Sequence, residues 1–230
     1  MLTSAEWDVI RLSLQVAGLA VGGSLPFGMA LAYALARRRV PLPFFFENLI
    51  QLPLVLPPVV TGLLLLIVLG PEGPVGRWVE GTLGIQIAFG GAGAALAAAV
   101  VSFPLMVQTM RVAFEQIDPE WEEAAHVYGG GRWAVFRYVT MPLAARGVAA
   151  GVVLAFARAV GEFGATIVLA GNIPGRTRTI PLAIFTSINQ VGGEAAALRL
   201  VLVAVVLSVL SLLLHVILTR RLHQPRKKSL

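Results

Sequence analysis

The sequence contains no cysteine, and its only lysines are Lys227 and Lys228 near the C-terminus. Without cysteine there is no disulfide framework, no thiolate metal site and no cysteine nucleophile. The P-loop of ATPases needs the pattern Gly-x-x-x-x-Gly-Lys-Ser/Thr. Lysines confined to the tail exclude it, so ATP hydrolysis by that route falls to a partner. Charge of either sign is scarce: 13% of the 230 residues, against roughly 25% in soluble domains. Histidine is limited to His126, His215 and His223, placed in a loop, a span and the tail. That scatter offers no metal cluster and no hydrolytic triad, and an enzyme is not expected.

What is present is apolar. Hydrophobic residues make up 57% of the chain and the mean hydropathy is +0.81, the composition of an integral membrane protein. About 20 apolar residues are needed to cross the hydrocarbon core. Five stretches qualify, at about 9–36, 47–70, 84–108, 147–171 and 197–219. The first is not read as a cleaved signal: Glu6 and Asp8 precede it, Arg37, Arg38 and Arg39 follow it, and it is too long. Placing 37–46, 109–146 and the tail 220–230 on one side puts 12 Lys/Arg there and five on the other, with Arg158 inside a span. The positive-inside rule makes the first side cytoplasmic, with the N-terminus outside and the C-terminus inside. The net charge of +6 is thus read as membrane orientation and not as nucleic-acid binding.

Prolines punctuate the spans. Pro26 lies in the first, and Pro53, Pro57 and Pro58 in the second, where each removes a backbone donor. Such kinks suit moving parts and plain bundles alike. Gly90-Gly91-Ala92-Gly93 and the alanines after it fit close helix packing and lack the spacing of a nucleotide fingerprint. In the outer connection 172–196, Ile180–Ile188 is apolar but too short to cross, and predicts a helix lying at the external surface or dipping part-way in, with an ordinary external loop as the alternative.

The connection 111–146 is the one long polar interruption. Asp118 suits an N-cap, Pro119 the first helical position, and Glu120, Glu122 and Glu123 the positive end of the dipole. Gly129 to Gly131 end this helix, and Trp133, Phe136 and Tyr138 fit the headgroup zone. A short helix alone in water is marginal, which suggests that something docks on it. Glu123-Ala124-Ala125, Gly129 and Val139-x-Met141-Pro142 complete a pattern that resembles the EAA loop of ABC-importer permeases.

The resemblance extends over essentially the whole chain. Gln51–Gly62, Ser102–Met106, Phe156–Thr166 and Asn172–Pro181 are similar to the molybdate-importer permeases, the segment Gly161-Glu162-Phe163-Gly164-Ala165-Thr166 being shared with sulfate permeases. It implies an all-α polytopic membrane protein of the type I importer fold: five transmembrane helices and a cytoplasmic coupling helix in one domain, 1–230, in the bacterial plasma (inner) membrane. It also implies two ATP-binding subunits that carry ATP and Mg, a second permease copy, and an extracellular oxyanion-binding protein, with no cofactor or metal on this chain. The cargo implied is molybdate or tungstate. Sulfate or thiosulfate is the alternative, and an ion-gradient-driven transporter a more distant one.

Glu123, Ala124, Ala125 and Gly129 are then the ATPase-coupling residues. Arg158 and Glu162, spaced i and i+4, are expected to neutralise each other within a span, beside the pathway in preference to holding the anion. Gly161, Phe163, Gly164 and Thr166 join them as gate candidates. Thr61, Ser102 and Thr166 offer hydroxyls as transient anion ligands. Arg176 and Arg178 are either external contacts for a binding protein or the anion, or solvated loop charges.

Overall fold

A computed structural model describes residues 2–39 and 41–220, without the side chains of Pro43 and Arg220. His223 and the basic residues beyond 220 lie outside the described residues. Every regular element among the described residues is helical.

The centre of the molecule is a three-helix core. Helix α1 (Ser4–Ala36) is closed at its start by a capping box, in which Thr3 Oγ1 accepts from the Glu6 amide and the Glu6 carboxylate accepts from the Thr3 amide. It packs on α5 (Gly91–Glu115) and α8 (Met141–Val160). The buried residues are mostly small: Ala17, Ala20 and Ala32 from α1, Ala94 and Ala98 from α5, and Ala144, Ala155 and Ala159 from α8. Lipid offers no hydrophobic gain to helix pairing, so close approach of small residues supplies the dispersion contact instead. Phe114, Met106 and Met110 fill the remaining space. Glycine is needed at Gly151, where a Cβ would stand 3.0 Å from Met110 Cγ and 3.2 Å from the Met106 carbonyl.

The second predicted span does not run straight. Residues 47–70 divide between α2 (Pro43–Val55) and α3 (Pro58–Leu69), bent by 109° at Leu56-Pro57. Both linking residues precede a proline and are held extended, with ψ of 142° and 132°, because a following proline ring disfavours the helical region. A short helix, α4 (Pro74–Leu83), follows in the connection. The stretch 84–108 also differs: 84–90 form a non-helical turn with Phe89 at φ +57°, and α5 continues to Glu115.

The polar connection after α5 is correspondingly shorter than 111–146. Between α5 and the next long helix lies α6 (Pro119–Val127). Then α7 (Arg132–Val135), a π turn (Phe136–Thr140) and α8 form one apolar helical run of 29 residues. That run stops at Val160, short of the predicted 171, and the chain restarts at Gly164 as α9 (Gly164–Leu169). Helix α10 (Ile180–Ile188) is the short helix expected of that stretch. The last long helix, α11 (Glu194–Arg220), packs on α8 and α10 and leaves most of its Leu and Val side chains exposed, as lipid contact requires. Among the described residues four helices are long and apolar enough to cross a membrane, and five if the bent α2–α3 pair counts as one span.

Candidate functional site

Helix α6 forms as its sequence dictates. The Asp118 carboxylate accepts from the Glu120 amide at 3.1 Å, and Pro119 takes the first helical position. The helix stops at Tyr128, where Gly129 enters the left-handed region at φ +86° and Gly130 returns its amide to the Ala125 carbonyl. His126 Nδ1 donates to the Gly130 carbonyl at 2.8 Å and closes the turn.

The helix is fastened to the body through a residue that the motif does not contain. Glu122 is buried, and its Oε1 accepts from Arg37 Nη2 at 2.9 Å and from Thr140 Oγ1 at 2.6 Å. Arg37 also reaches the Ile117 carbonyl at 3.4 Å. One carboxylate thus ties the end of α1, the connection after α5 and the π turn to α6. Burial pushes the Glu122 carboxyl up, but the hydrogen bonds from Arg37 and Thr140 outweigh it and hold the group below the usual carboxylate range. The sequence reading had Glu122 only as one of three acids at a helix start. Its one available signal was an arginine ending the first span.

The motif residues face away from this joint. Glu123, Ala124 and Gly129 are exposed and Ala125 is half-buried. Trp121, Val127 and Tyr128 beside them are also exposed, Tyr128 at 93%. Large apolar side chains standing out from an acidic helix form a surface that a partner would cover.

The other candidates gather where the broken helices meet. Helices α3 and α9 run side by side with their starts together. A Cβ on Gly164 would lie 2.8 Å from Pro58 Cβ, and one on Gly62 would lie 2.8 Å from Ala165 Cα. Helix α9 also packs on α5 through Ala97, Val101, Ala165 and Leu169. Arg158 and Glu162 pair at 2.8 Å between Nη1 and Oε2, but they do not share one helix. Glu162 lies beyond the end of α8, and its Oε1 accepts from the Ala165 amide at 2.8 Å, capping α9. The carboxylate therefore has two tasks: it neutralises Arg158, and it holds the restart of the chain.

Thr61 and Thr166 lie in this pair, and both are buried. Thr61 Oγ1 has no hydrogen-bond partner. Ser102 is buried in α5 and donates to its own helix at the Ala99 carbonyl. Phe163 stacks obliquely on Phe185 of α10, 5.3 Å between ring centres, which connects the break to that helix. Gly161 is exposed.

In the loop before α10 Arg176 is exposed, whereas Arg178 is built into the loop. Its Nε donates to Asn172 Oδ1 at 2.9 Å, and Asn172 donates to Thr186 of α10. Sequence reasoning missed a second clamp there. Arg199 of α11 grips Glu6 of α1 through Nε and Nη2, at 3.0 and 2.7 Å to Oε1. Ser13 Oγ accepts from the Ile180 amide at 2.7 Å and seats α10 on α1.

Among the described residues, apolar helices long enough to cross a membrane pack around a common core, and a short acidic helix is tied to it with one face uncovered. Residues 24–224 match the family described as binding-protein-dependent transport system inner membrane component, and the chain belongs to it. It is 49% identical over 220 residues to the molybdenum transport system permease protein ModB of Escherichia coli K12, covering 96% of each chain. The ModB protein of Haemophilus influenzae is 44% identical over 219 residues, covering 95% of this chain and 96% of that one. The sulfate transport system permease protein CysW of Synechocystis is more distant, 35% identical over 214 residues, covering 93% of this chain and 77% of that one. In three dimensions the chain matches a bacterial ABC transporter involved in importing the acidic polysaccharide alginate. That match has a TM-score of 0.71 at 18% identity over 97% of this chain and 82% of the other, a likeness of fold.

Proposed function

We propose that this chain is the membrane-spanning permease of an ATP-driven importer that carries molybdate, or its near-isostere tungstate, into a bacterial cytoplasm. The observation that carries the reading is the exposed face of α6. The helix is fixed to the body by Glu122, while Trp121, Glu123, Ala124, Val127 and Tyr128 remain uncovered. An ATP-driven importer whose permease has no P-loop takes its energy from a docked ATPase, and this face is the ordered surface that suits one. The cargo is supported by the ModB relatives, with the sulfate permease further away.

In this reading two copies face each other in the plasma (inner) membrane and enclose the pathway. Two ATP-binding subunits, which carry ATP and Mg, seat the α6 helices. An external oxyanion-binding protein delivers its cargo at the side of α10. Movement of α6 reaches the core through Glu122, Arg37 and Thr140. The α3–α9 pair is then the gate, with Glu162 holding its restart. Thr61 holds a buried hydroxyl free of other partners, which opening of the α3–α9 pair would offer to an oxyanion without a full positive charge to trap it. Thr166 lies on the other helix of the pair.

The test is co-purification with the cognate ATPase, followed by ATP hydrolysis with each loaded binding protein. Stimulation by the molybdate-loaded protein is expected. Stimulation by the sulfate-loaded protein alone assigns the chain to the sulfate branch, and an ATPase that does not bind removes the importer reading.

A further inference from the structure

At the cytoplasmic end of the bundle, α1 and the α7–π-turn segment leave a groove of about 530 Å³ between them. Its walls are apolar and aromatic: Met29, Ala30 and Tyr33 on one side, Trp133 and Phe136 on the other, with Arg132 at the rim. The aromatics are set in order, since Phe136 stacks on Trp133 at 5.8 Å and meets Tyr33 edge-on at 5.1 Å. From Pro26 to Tyr33 the groove follows α1 for about 10 Å, at 1.5 Å per residue. On the orientation proposed above, it runs from the headgroup level into the hydrocarbon.

Its charge is one-sided. Arg132 lines it, and the Arg39 guanidinium lies 5.2 Å over the Tyr33 ring. Neither arginine has an acidic partner among the described residues, whereas Arg37 close by is neutralised by Glu122. No acidic side chain lines the groove. An apolar slot of this depth with unpaired guanidinium groups at its mouth complements one occupant: an acyl chain that carries an anionic phosphate headgroup.

We infer that this groove is a binding site for an anionic phospholipid of the cytoplasmic leaflet. Arg132 and Arg39 hold the phosphate, and Trp133, Phe136 and Met29 hold the chain. The site adjoins the coupling joint, because Phe136 and Thr140 belong to the same π turn and Thr140 donates to Glu122. Filling the groove braces the turn on which α6 hangs. The inference rests on the membrane orientation of the proposed function, and its test reads lipid retention without needing transport.

The purified chain is titrated with phosphatidylglycerol, phosphatidylcholine or sn-glycerol 1-phosphate, and retained ligand is counted by native mass spectrometry. Wild type is expected to retain phosphatidylglycerol over phosphatidylcholine and to ignore the soluble headgroup. Arg132→Gln should weaken phosphatidylglycerol retention about five-fold, the contribution of one basic side chain at an anionic surface. Ala30→Trp, at an exposed groove position, should displace the lipid by filling its slot. Val205→Trp, on the exposed face of α11, should change nothing and shows that an added indole is tolerated. Equal retention of both lipids, tight binding of the soluble headgroup, or retention unchanged by Ala30→Trp overturns the inference. A change of oligomeric state in Ala30→Trp alone also overturns it, because the groove is then a contact between copies.

Discussion

A carboxylate buried beside an arginine is worth most when its loss leaves the other charge stranded. Glu122→Ala would leave Arg37 in that position, with only 12% of its side chain exposed. Removing one partner of a buried pair costs about 3–5 kcal/mol, and the residual exposure puts this pair toward the lower end. The expected outcome is faster hydrogen exchange throughout α6, with the core helices unchanged, and uncoupled ATP hydrolysis in the assembled complex. Because Glu122 titrates below the usual carboxylate range, its contribution is complete above that range. It is lost only as pH falls through the lowered value. Protection of the α6 amides, taken relative to the intrinsic exchange rate at each pH, should therefore stay flat from neutral to mildly acid pH and fall only in stronger acid. Gly129 makes a smaller and separate case. Nothing lies within 4 Å of an added Cβ, so Gly129→Ala tests the backbone alone at φ +86°. A loss of about 1–2 kcal/mol is expected from the left-handed conformation, read as a lower melting temperature.

Among the elements, the short helices at the break are the ones that the spans concealed. Gly164→Ala places a methyl against the Pro58 ring, which cannot yield, and overpacking of this kind costs about 1–3 kcal/mol. Transport is expected to fall at least about ten-fold, the effect of 1.4 kcal/mol, while the ATPase still co-purifies because α6 is distant in the chain. Glu162 separates its two tasks: glutamine keeps an oxygen for the Ala165 amide and loses the charge facing Arg158, whereas alanine loses both. Glu162→Ala should thus lower the melting temperature more than Glu162→Gln. Local chemistry made α6 legible, since Asp118, Pro119 and Gly129 act within a few residues of one another. Hydropathy located the apolar stretches but not the breaks at Leu56-Pro57 and Gly161–Phe163, because a window sums transfer energy and is blind to backbone direction. The prolines gave a signal at the first break. At the second, the capping role of Glu162 depends on where the chain restarts, which the i, i+4 spacing misread as one helix face.

At the scale of the whole molecule, three clamps join distant parts of the chain: Glu6 with Arg199, Glu122 with Arg37, and Glu47 with Arg111. Their partners are 64 or more positions apart, beyond any local pattern, which is why the sequence reading treated the three arginines only as orientation charges. The family was legible because the EAA pattern is local and long. The proposed function makes two claims about the whole molecule: α6 receives force from a separate ATPase, and the force moves an oxyanion across the bundle. Uptake of radiolabelled molybdate into proteoliposomes that hold the permease, its ATPase and its binding protein tests both together. The account predicts ATP-dependent uptake that excess sulfate does not compete away and that Glu123→Arg, on the exposed face of α6, abolishes. Uptake without ATP, or undiminished uptake by Glu123→Arg, would contradict it.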